Sequence, residues 1–405
     1  MMELLSPAGN MERLETAFYF GADAVYLSGR AFGLRAYAGN FDDQQLEQAV
    51  ARAHELGKKA YIAANIFMRE ADISPFKDYI ALLGRIKADG IIISDLGAAG
   101  LAKEICPELP LHISTQFSAM NHLTVSALHK MGASRIILAR ELSLDEIKRI
   151  RDSIPEDAEL EAFVHGAMCM AYSGRCLLSS FLTGRQANRG ECTQPCRWEY
   201  SLVEKQRPGE YMPIMEDEHG TYILNSRDLC MIEHLAELNK AGVDSIKIEG
   251  RMKTSYYTAV VTNAYRRALN LLKQGREFDP ALKEELLKAS NRDFTTGFYY
   301  GNPLNNGQRP QSGKCVQDYE FSALCLGWDG ANAILEQRNK INKGDTLEIL
   351  SPNDYSASSI RVSQITDLDG NEIECANRVQ QIIKIPCSLP LSKNDILRKY
   401  IKSVR

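Results

Sequence analysis

The chain has 405 residues, 44% apolar and 25% charged, without a low-complexity run; this excludes a disordered protein and leaves room for two or three domains, or an α/β barrel of about 250 residues with a smaller companion. A formal net charge of -4 excludes a globally basic nucleic-acid binder but not a local basic patch. No apolar stretch reaches the roughly 20 residues that span a bilayer, and Met1-Met2-Glu3 opens without a basic segment, apolar run or cleavage site, so a cytoplasmic location without a membrane partner is expected.

Helix-like and strand-like segments alternate to about residue 270. Strands are expected at Glu3–Leu5, Ala24–Leu27, Ala60–Asn65, Ile91–Ile93, Leu111–Thr115, Ile136–Leu138, Leu160–Val164, Tyr222–Leu224 and Ile246–Ile248. Amphipathic helices are expected from Met11 to Gly21 and at about 43–57, 75–88, 122–131, 143–154, 231–241 and 254–274. Several strands follow one recurring phrase, a small or glycine-containing helix end: Ala22-Asp23, Lys87-Ala88-Asp89, Gly132-Ala133-Ser134 and Gly242-Val243-Asp244. Eight or nine strands, nearly all followed by helices, suit a closed parallel sheet better than an open one. The expected fold class is therefore α/β: a TIM-like parallel β/α barrel, regular or irregular, over residues 1–275, with a cysteine-rich segment inserted at 165–230. Glycine-rich dinucleotide loops and glycine-plus-lysine phosphate loops are absent.

A turn-rich connector covers 276–311, with Gly301, Asn302, Pro303, Asn305, Asn306, Gly307 and Pro310. Short strand-like runs follow at Phe321–Leu326, Ala331–Leu335, Thr346–Leu350, Arg361–Ile365 and Gln381–Ile385, with hairpin turns at Gly344-Asp345 and Asp369-Gly370. Residues 312–405 read as a small C-terminal β-barrel domain, either an RNA contact or a stabilising appendage.

In such a barrel chemistry gathers at the carboxyl ends of the strands. Those ends are polar here: Ser28, Ser94-Asp95, Ser114 to Gln116, Arg140-Glu141, His165, and Lys247 with Glu249 and Arg251. Immediately after the Leu160–Val164 strand come Cys169, Cys176, Cys192 and Cys196, four of ten cysteines in 28 residues, with Cys230 on the next recognisable segment. Disulfides are unexpected in a reducing compartment, and the spacing matches neither paired zinc knuckles nor the close triplet of radical enzymes. An iron-sulfur cluster, a zinc ion and unligated cysteines all remain open on spacing alone. Arg175, Arg185, Arg189, Arg197, Lys205 and Arg207 crowd the same segment. Proteolytic signatures are thin: His54-Glu55 has no second histidine at helical spacing, and no serine elbow occurs. A dyad of Cys169 and His165 is the one conceivable nucleophile and base.

The stretch Glu161-Ala162-Phe163-Val164-His165-Gly166-Ala167-Met168-Cys169-Met170-Ala171-Tyr172-Ser173-Gly174-Arg175-Cys176-Leu177-Leu178-Ser179 closely resembles the signature of the collagenase-like proteins, peptidase U family 32. The likeness extends to Leu4-Leu5-Ser6-Pro7-Ala8-Gly9, Gly21-Ala22-Asp23-Ala24-Val25-Tyr26, Cys192-Thr193-Gln194-Pro195-Cys196-Arg197-Trp198, Asn225-Ser226-Arg227-Asp228-Leu229-Cys230 and Ile248-Glu249-Gly250-Arg251-Met252-Lys253. Within that family, this length, the last of these segments and a β-rich C-terminal domain most resemble the prephenate-dependent tRNA uridine hydroxylases, which make 5-hydroxyuridine at the wobble position. Other members modify ribosomal RNA or hydroxylate a ubiquinone precursor, the latter with a 4Fe-4S cluster on four cysteines. The resemblance implies a 4Fe-4S cluster on Cys169, Cys176, Cys192 and Cys230, with Cys196 left over.

It also implies prephenate as co-substrate, a dicarboxylate for which Arg140, Lys247 and Arg251 are candidate partners; internal ion pairing is the plain alternative. Lys247, Glu249 and Arg251 alternate and share a face if the strand continues. His165 and Glu249 are candidate catalytic groups, His165 by relaying a proton or bonding a cluster sulfur. For a tRNA anticodon loop, Arg175 and Arg197 can meet phosphates while Tyr172 or Trp198 stacks on a base. A homologous partner subunit is a further implied partner. A collagenase-like peptidase and a non-catalytic RNA-binding protein with a structural metal are the competing classes.

Overall fold

The computed structural model describes residues 2–34, 40–168, 178–185, 191–193, 195, 202–203, 211–212, 215–217, 220–222, 227–301, 303, 317–353 and 356–401. Strand and helix alternate from the start: β1 (Glu3–Pro7), α1 (Met11–Tyr19), β2 (Ala24–Leu27), α2 (Asp43–Glu55), β3 (Lys59–Ala64), α3 (Glu70–Arg85), β4 (Gly90–Ile93), α4 (Leu96–Ile105), β5 (Leu111–Ile113), α5 (His122–Lys130), β6 (Ala133–Ile137), α6 (Leu144–Arg151) and β7 (Glu159–Gly166). An excursion then carries α7 (Leu178–Thr183), the hairpin of β8 (Leu202–Val203) with β9 (Tyr211–Met212), the hairpin of β10 (Met215–Asp217) with β11 (Gly220–Tyr222), and β12 (Asp228–Cys230). The alternation resumes with α8 (Leu235–Lys240), β13 (Ser245–Ile248) and α9 (Ser255–Lys273).

Strands β1 to β7 pair in order and in parallel, and β13 pairs in parallel with both β7 and β1, so eight strands close into a TIM-like barrel. The strands are apolar runs because both faces are covered: every residue of β2, β4 and β13 is buried. The recurring phrase before the strands is a left-handed helix stop, with Gly21, Gly132 and Gly242 at φ 98°, 95° and 82°. N-caps on Asn10, Asp42, Asn121, Ser143 and Thr254 start the helices they precede.

Three differences from the sequence pattern have local causes. Helix α3 begins at Glu70, not near Pro75, because the Asp72 carboxylate accepts the Arg69 N–H and anchors a turn upstream of the proline. Helix α4 escapes a propensity reading because Gly97 and Gly100 weaken it, and burial of Ala98, Ala99 and Ala102 decides the matter. Of the expected strand Tyr222–Leu224, Tyr222 ends β11, which among the described residues pairs with β10, and residues 223 and 224 lie outside the described residues. An unexpected strand follows, β12, which pairs antiparallel with the end of β7, Leu229 opposite Gly166 and Cys230 opposite His165. Strand β7 outlasts β6, whose last pairing is Ile137 with Glu161, and the exposed backbone groups beyond are met by β12.

After α10 (Ala281–Leu287) and β14 (Phe294–Thr295) comes a second β unit: β15 (Tyr319–Trp328), β16 (Asn332–Gln337), β17 (Ile341–Asn342), β18 (Thr346–Leu350), β19 (Ser359–Arg361), β20 (Cys375–Ala376), β21 (Ile382–Pro386) and β22 (Ile396–Tyr400). Six of these form one antiparallel sheet, order β19-β18-β22-β15-β16-β21, with β17 and β20 as a separate pair. The unit is the small β domain expected, an antiparallel half-barrel whose described pairings leave β19 and β21 at its edges. It rests on the outer helices of the large barrel. The Arg398 guanidinium, 1% exposed, lies between Glu285 of α10 and Glu348 of β18, bonding Glu285 at 2.5 Å; Arg338 meets Glu12 at 3.1 Å and the Tyr19 hydroxyl donates to Asp395 at 2.8 Å.

Candidate active site

Inside the carboxyl end of the barrel lies a cavity of about 110 Å³ whose wall includes Tyr26, Phe163, Arg140, Lys247, Glu249 and Arg251. Strand β13 ends at Ile248, yet Lys247, Glu249 and Arg251 still line this one cavity, as their alternation suggests. Lys247 is 5% exposed and donates to Glu161, a carboxylate with no exposed surface, at 2.8 Å; its ammonium stands 4.5 Å from the centre of the Tyr26 ring. Arg135 reaches the same Glu161 at 3.3 Å and binds Glu3 at 2.6 Å, so the floor is an internal ion network. Lys247 is thus both a paired barrel cation and part of the cavity wall.

Arg140, just beyond β6, donates from Nη1 to the Ala167 carbonyl at 2.7 Å, faces Glu249 at 3.6 Å and lies 3.9 Å over the Phe163 ring. Its side chain is 9% exposed, and its buried Nε meets no hydrogen-bond acceptor. Arg251 is held by Asn40, whose Oδ1 accepts from Nη2 at 2.6 Å. Glu249 is placed by close approach: Gly166 sits at φ 106°, and a Cβ there would stand 2.5 Å from the Glu249 carbonyl, so only glycine admits this crossing.

The wall formed by the ends of β3 to β5 is neutral. Asn65, Ser94, Ser114 and Gln116, at the ends of β3, β4 and β5, are linked to one another: Ser94 Oγ to Gln116 Oε1 at 3.0 Å, and Asn65 Nδ2 to Ser114 Oγ at 3.4 Å. A 3-10 turn over Thr115–Phe117, capped by Ser114, aims Gln116 inward. Asn65 was legible as the last residue of an expected strand but draws no attention as a neutral amide; Tyr26 and Phe163 look like core.

His165 does not line this cavity. A register shift between Lys247 and Ile248 leaves Val164 as the extra residue, so His165 pairs with Ile248 and packs among Tyr257, Tyr265 and Phe294. Burial, with Lys253 adding to it, pushes its imidazole down to about 3, so it is neutral across the physiological range. Cys230 stands beside it, with the Tyr265 hydroxyl 3.9 Å from its sulfur; burial pushes this thiol up to about 11. Cys192 is exposed. Cys169, Cys176, Cys196, Tyr172, Arg175, Arg197 and Trp198 lie outside the described residues. Among the described residues no group of three His, Cys, Asp or Glu side chains converges as a metal site. Of the four cysteines expected as ligands two are described, and Cys230 fits a soft cation chemically: a buried thiol gives up its proton only when a bound positive charge compensates. No helix among the described residues is long and apolar enough to cross a membrane.

A TIM-like barrel with a cation-lined cavity at the carboxyl ends of its strands, a cysteine-bearing excursion after the seventh and a β half-barrel behind it defines a class of two-domain α/β barrel proteins. Residues 9–309 match the model of Peptidase family U32, and residues 317–398 match that of the Peptidase family U32 C-terminal domain. The chain belongs to peptidase family U32. It is 40% identical over 391 residues to tRNA hydroxylation protein P of Escherichia coli K12, covering 86% of each chain, and 36% identical over 402 residues to tRNA hydroxylation protein P1 of Bacillus subtilis 168, covering 98% of this chain and 94% of that one. It is also 36% identical over 275 residues to the 23S rRNA 5-hydroxycytidine C2501 synthase of E. coli K12, covering 68% of this chain and 40% of that protein.

Proposed function

We propose that this chain is a tRNA-hydroxylating enzyme that converts the wobble uridine to 5-hydroxyuridine, with prephenate as co-substrate and a 4Fe-4S cluster on Cys169, Cys176, Cys192 and Cys230. The observation that carries the reading is the near full-length similarity to two proteins named for tRNA hydroxylation. The cation-lined cavity supports the co-substrate: Arg140 and Arg251 offer guanidinium donors to carboxylates, while Tyr26 and Phe163 offer apolar surface to a ring. Glu249, facing Arg140 at 3.6 Å, is placed to hold or release a proton at the edge of the bound anion. Cys230 supports the cluster, since it is buried at the barrel wall where β7 leads, three residues on, to Cys169. A cluster there supplies one-electron chemistry that side chains lack.

Nucleoside analysis of tRNA from a deletion strain tests the function. Loss of 5-hydroxyuridine derivatives, restored by the wild-type gene and not by Cys230→Ala, is expected; unchanged derivatives in a strain with no homologue would reject it. Anaerobic purification with iron assay and visible absorption tests the cluster. Cleavage of a protein substrate, abolished by Cys169→Ala and indifferent to iron removal, would replace the reading with a peptidase.

A further inference from the structure

The cavity has two chemically different halves. Its cations come from the ends of β6 and β13, whereas the ends of β3, β4 and β5 contribute only amides and hydroxyls: Asn65, Ser114 and Gln116. In the circular strand order β4 stands across the barrel from β13, whose end carries Lys247 and Arg251, while β6, which leads to Arg140, adjoins β5, so the neutral groups face one set of cations and flank the other. A site for carboxylates alone would have no use for the second half. Its groups are organised, not merely present: Ser94 fixes the Gln116 amide at 3.0 Å, Ser114 Oγ receives both the Asn65 amide and the Gln116 N–H at 3.4 Å, and Gln116 is 6% exposed. Rigid, buried neutral groups reject a ligand that leaves them unpaired, because each then loses water without gaining a bond.

We infer that Gln116, supported by Ser94 and Ser114, is a specificity-determining residue that reads a hydroxyl or carbonyl group on the end of the ligand remote from its carboxylate, while Arg140 and Arg251 hold the carboxylate. The inference rests on the cavity being the co-substrate site. The ligand class is an organic acid with its charge at one end and an uncharged hydrogen-bonding group at the other. Carboxylate binding supplies affinity without discrimination, and the neutral wall supplies orientation.

The test is isothermal titration of purified holoprotein with 4-hydroxyphenylpyruvate and phenylpyruvate, which differ by one hydroxyl remote from the carboxylate, and with prephenate. Wild type is expected to prefer the hydroxylated acid by about tenfold, the worth of one net hydrogen bond. Gln116→Leu, similar in volume, is expected to bind both acids equally at the weaker affinity. Arg140→Gln is expected to weaken both and to keep the preference. Ser114→Ala serves as the second neutral-wall variant, with melting curves establishing that each variant folds, and it too is expected to reduce the preference. Wild type failing to distinguish the two acids, or folded Gln116→Leu and Ser114→Ala keeping the full preference, overturns the inference. Prephenate separates the two readings: wild type that prefers the hydroxylated acid but does not bind prephenate removes the co-substrate assignment and leaves Gln116 as the selector of another acid.

Discussion

Lys247→Met puts the double nature of that lysine to a quantitative test. The substitution keeps the length of the side chain and removes the cation 2.8 Å from Glu161, whose side chain has no exposed surface. Removing one member of a buried ion pair costs about 3–5 kcal/mol, because the other charge stays desolvated. Arg135 remains 3.3 Å from Glu161 but already serves Glu3 at 2.6 Å and Glu159 at 2.7 Å, so it offsets only part of the loss. A cost of about 3 kcal/mol is expected, a large share of a total stability of roughly 5–15 kcal/mol. Adding Glu161→Gln removes the stranded charge and is expected to recover all but about 1 kcal/mol. Urea unfolding followed by far-ultraviolet circular dichroism reads both, as midpoint shifts at constant slope. A single variant within about 0.5 kcal/mol of wild type, the range of an ordinary surface substitution, or a double variant no more stable than the single, would refute the reasoning. The rescued double variant then puts the functional question in a folded protein: its prephenate affinity is expected to fall, since the cavity has lost one of its cations.

Other outcomes follow from the same geometry. His112, buried against Tyr61 with its proton affinity driven well down by burial and then by Arg135 and Lys247, is neutral in the fold and protonates when the chain unfolds. The unfolded state therefore binds the extra proton below pH 6.5, and His112 alone is expected to take up to about 1.4 kcal/mol per pH unit from stability as pH falls below that value, a share of the slope, beside that of His165, that His112→Phe should remove in acid-dependent melting curves. Arg398→Met strands Glu285 and Glu348 with Lys288 alone and is expected to cost about 3 kcal/mol, seen as earlier release of the C-terminal half-barrel in limited proteolysis. Gly166→Ala forces a Cβ toward the Glu249 carbonyl at a positive φ, and is expected to lower both the melting temperature and prephenate affinity.

The barrel was legible because its strands are apolar runs punctuated by glycine stops at Gly21, Gly132 and Gly242, a pattern that local chemistry enforces. Arg140, Lys247, Glu249 and Arg251 were legible as polar residues where apolar strands end, and the fold gathers all four on one cavity. Less was legible wherever long-range pairing decides. The antiparallel β12 is three residues long and exists because β7 outlasts β6; nothing in Asp228-Leu229-Cys230 announces it. The outward turn of His165 depends on one extra residue at Val164, invisible to a period of two. Strand β22 is hidden because Arg398 and Lys399 interrupt its apolar run, and only the fold brings Glu285, Glu348, Glu320 and Asp345 against them.

Those acidic partners bear on how a polyanion is met. In the half-barrel Arg338, Lys343, Lys384, Arg398 and Lys399 are all engaged by carboxylates. Capturing a phosphate with Arg398, 1% exposed between Glu285 and Glu348, means first breaking an ion pair that ties the half-barrel to the large barrel, whereas Lys343 and Lys384, each more than a third exposed, give up their carboxylates at little cost.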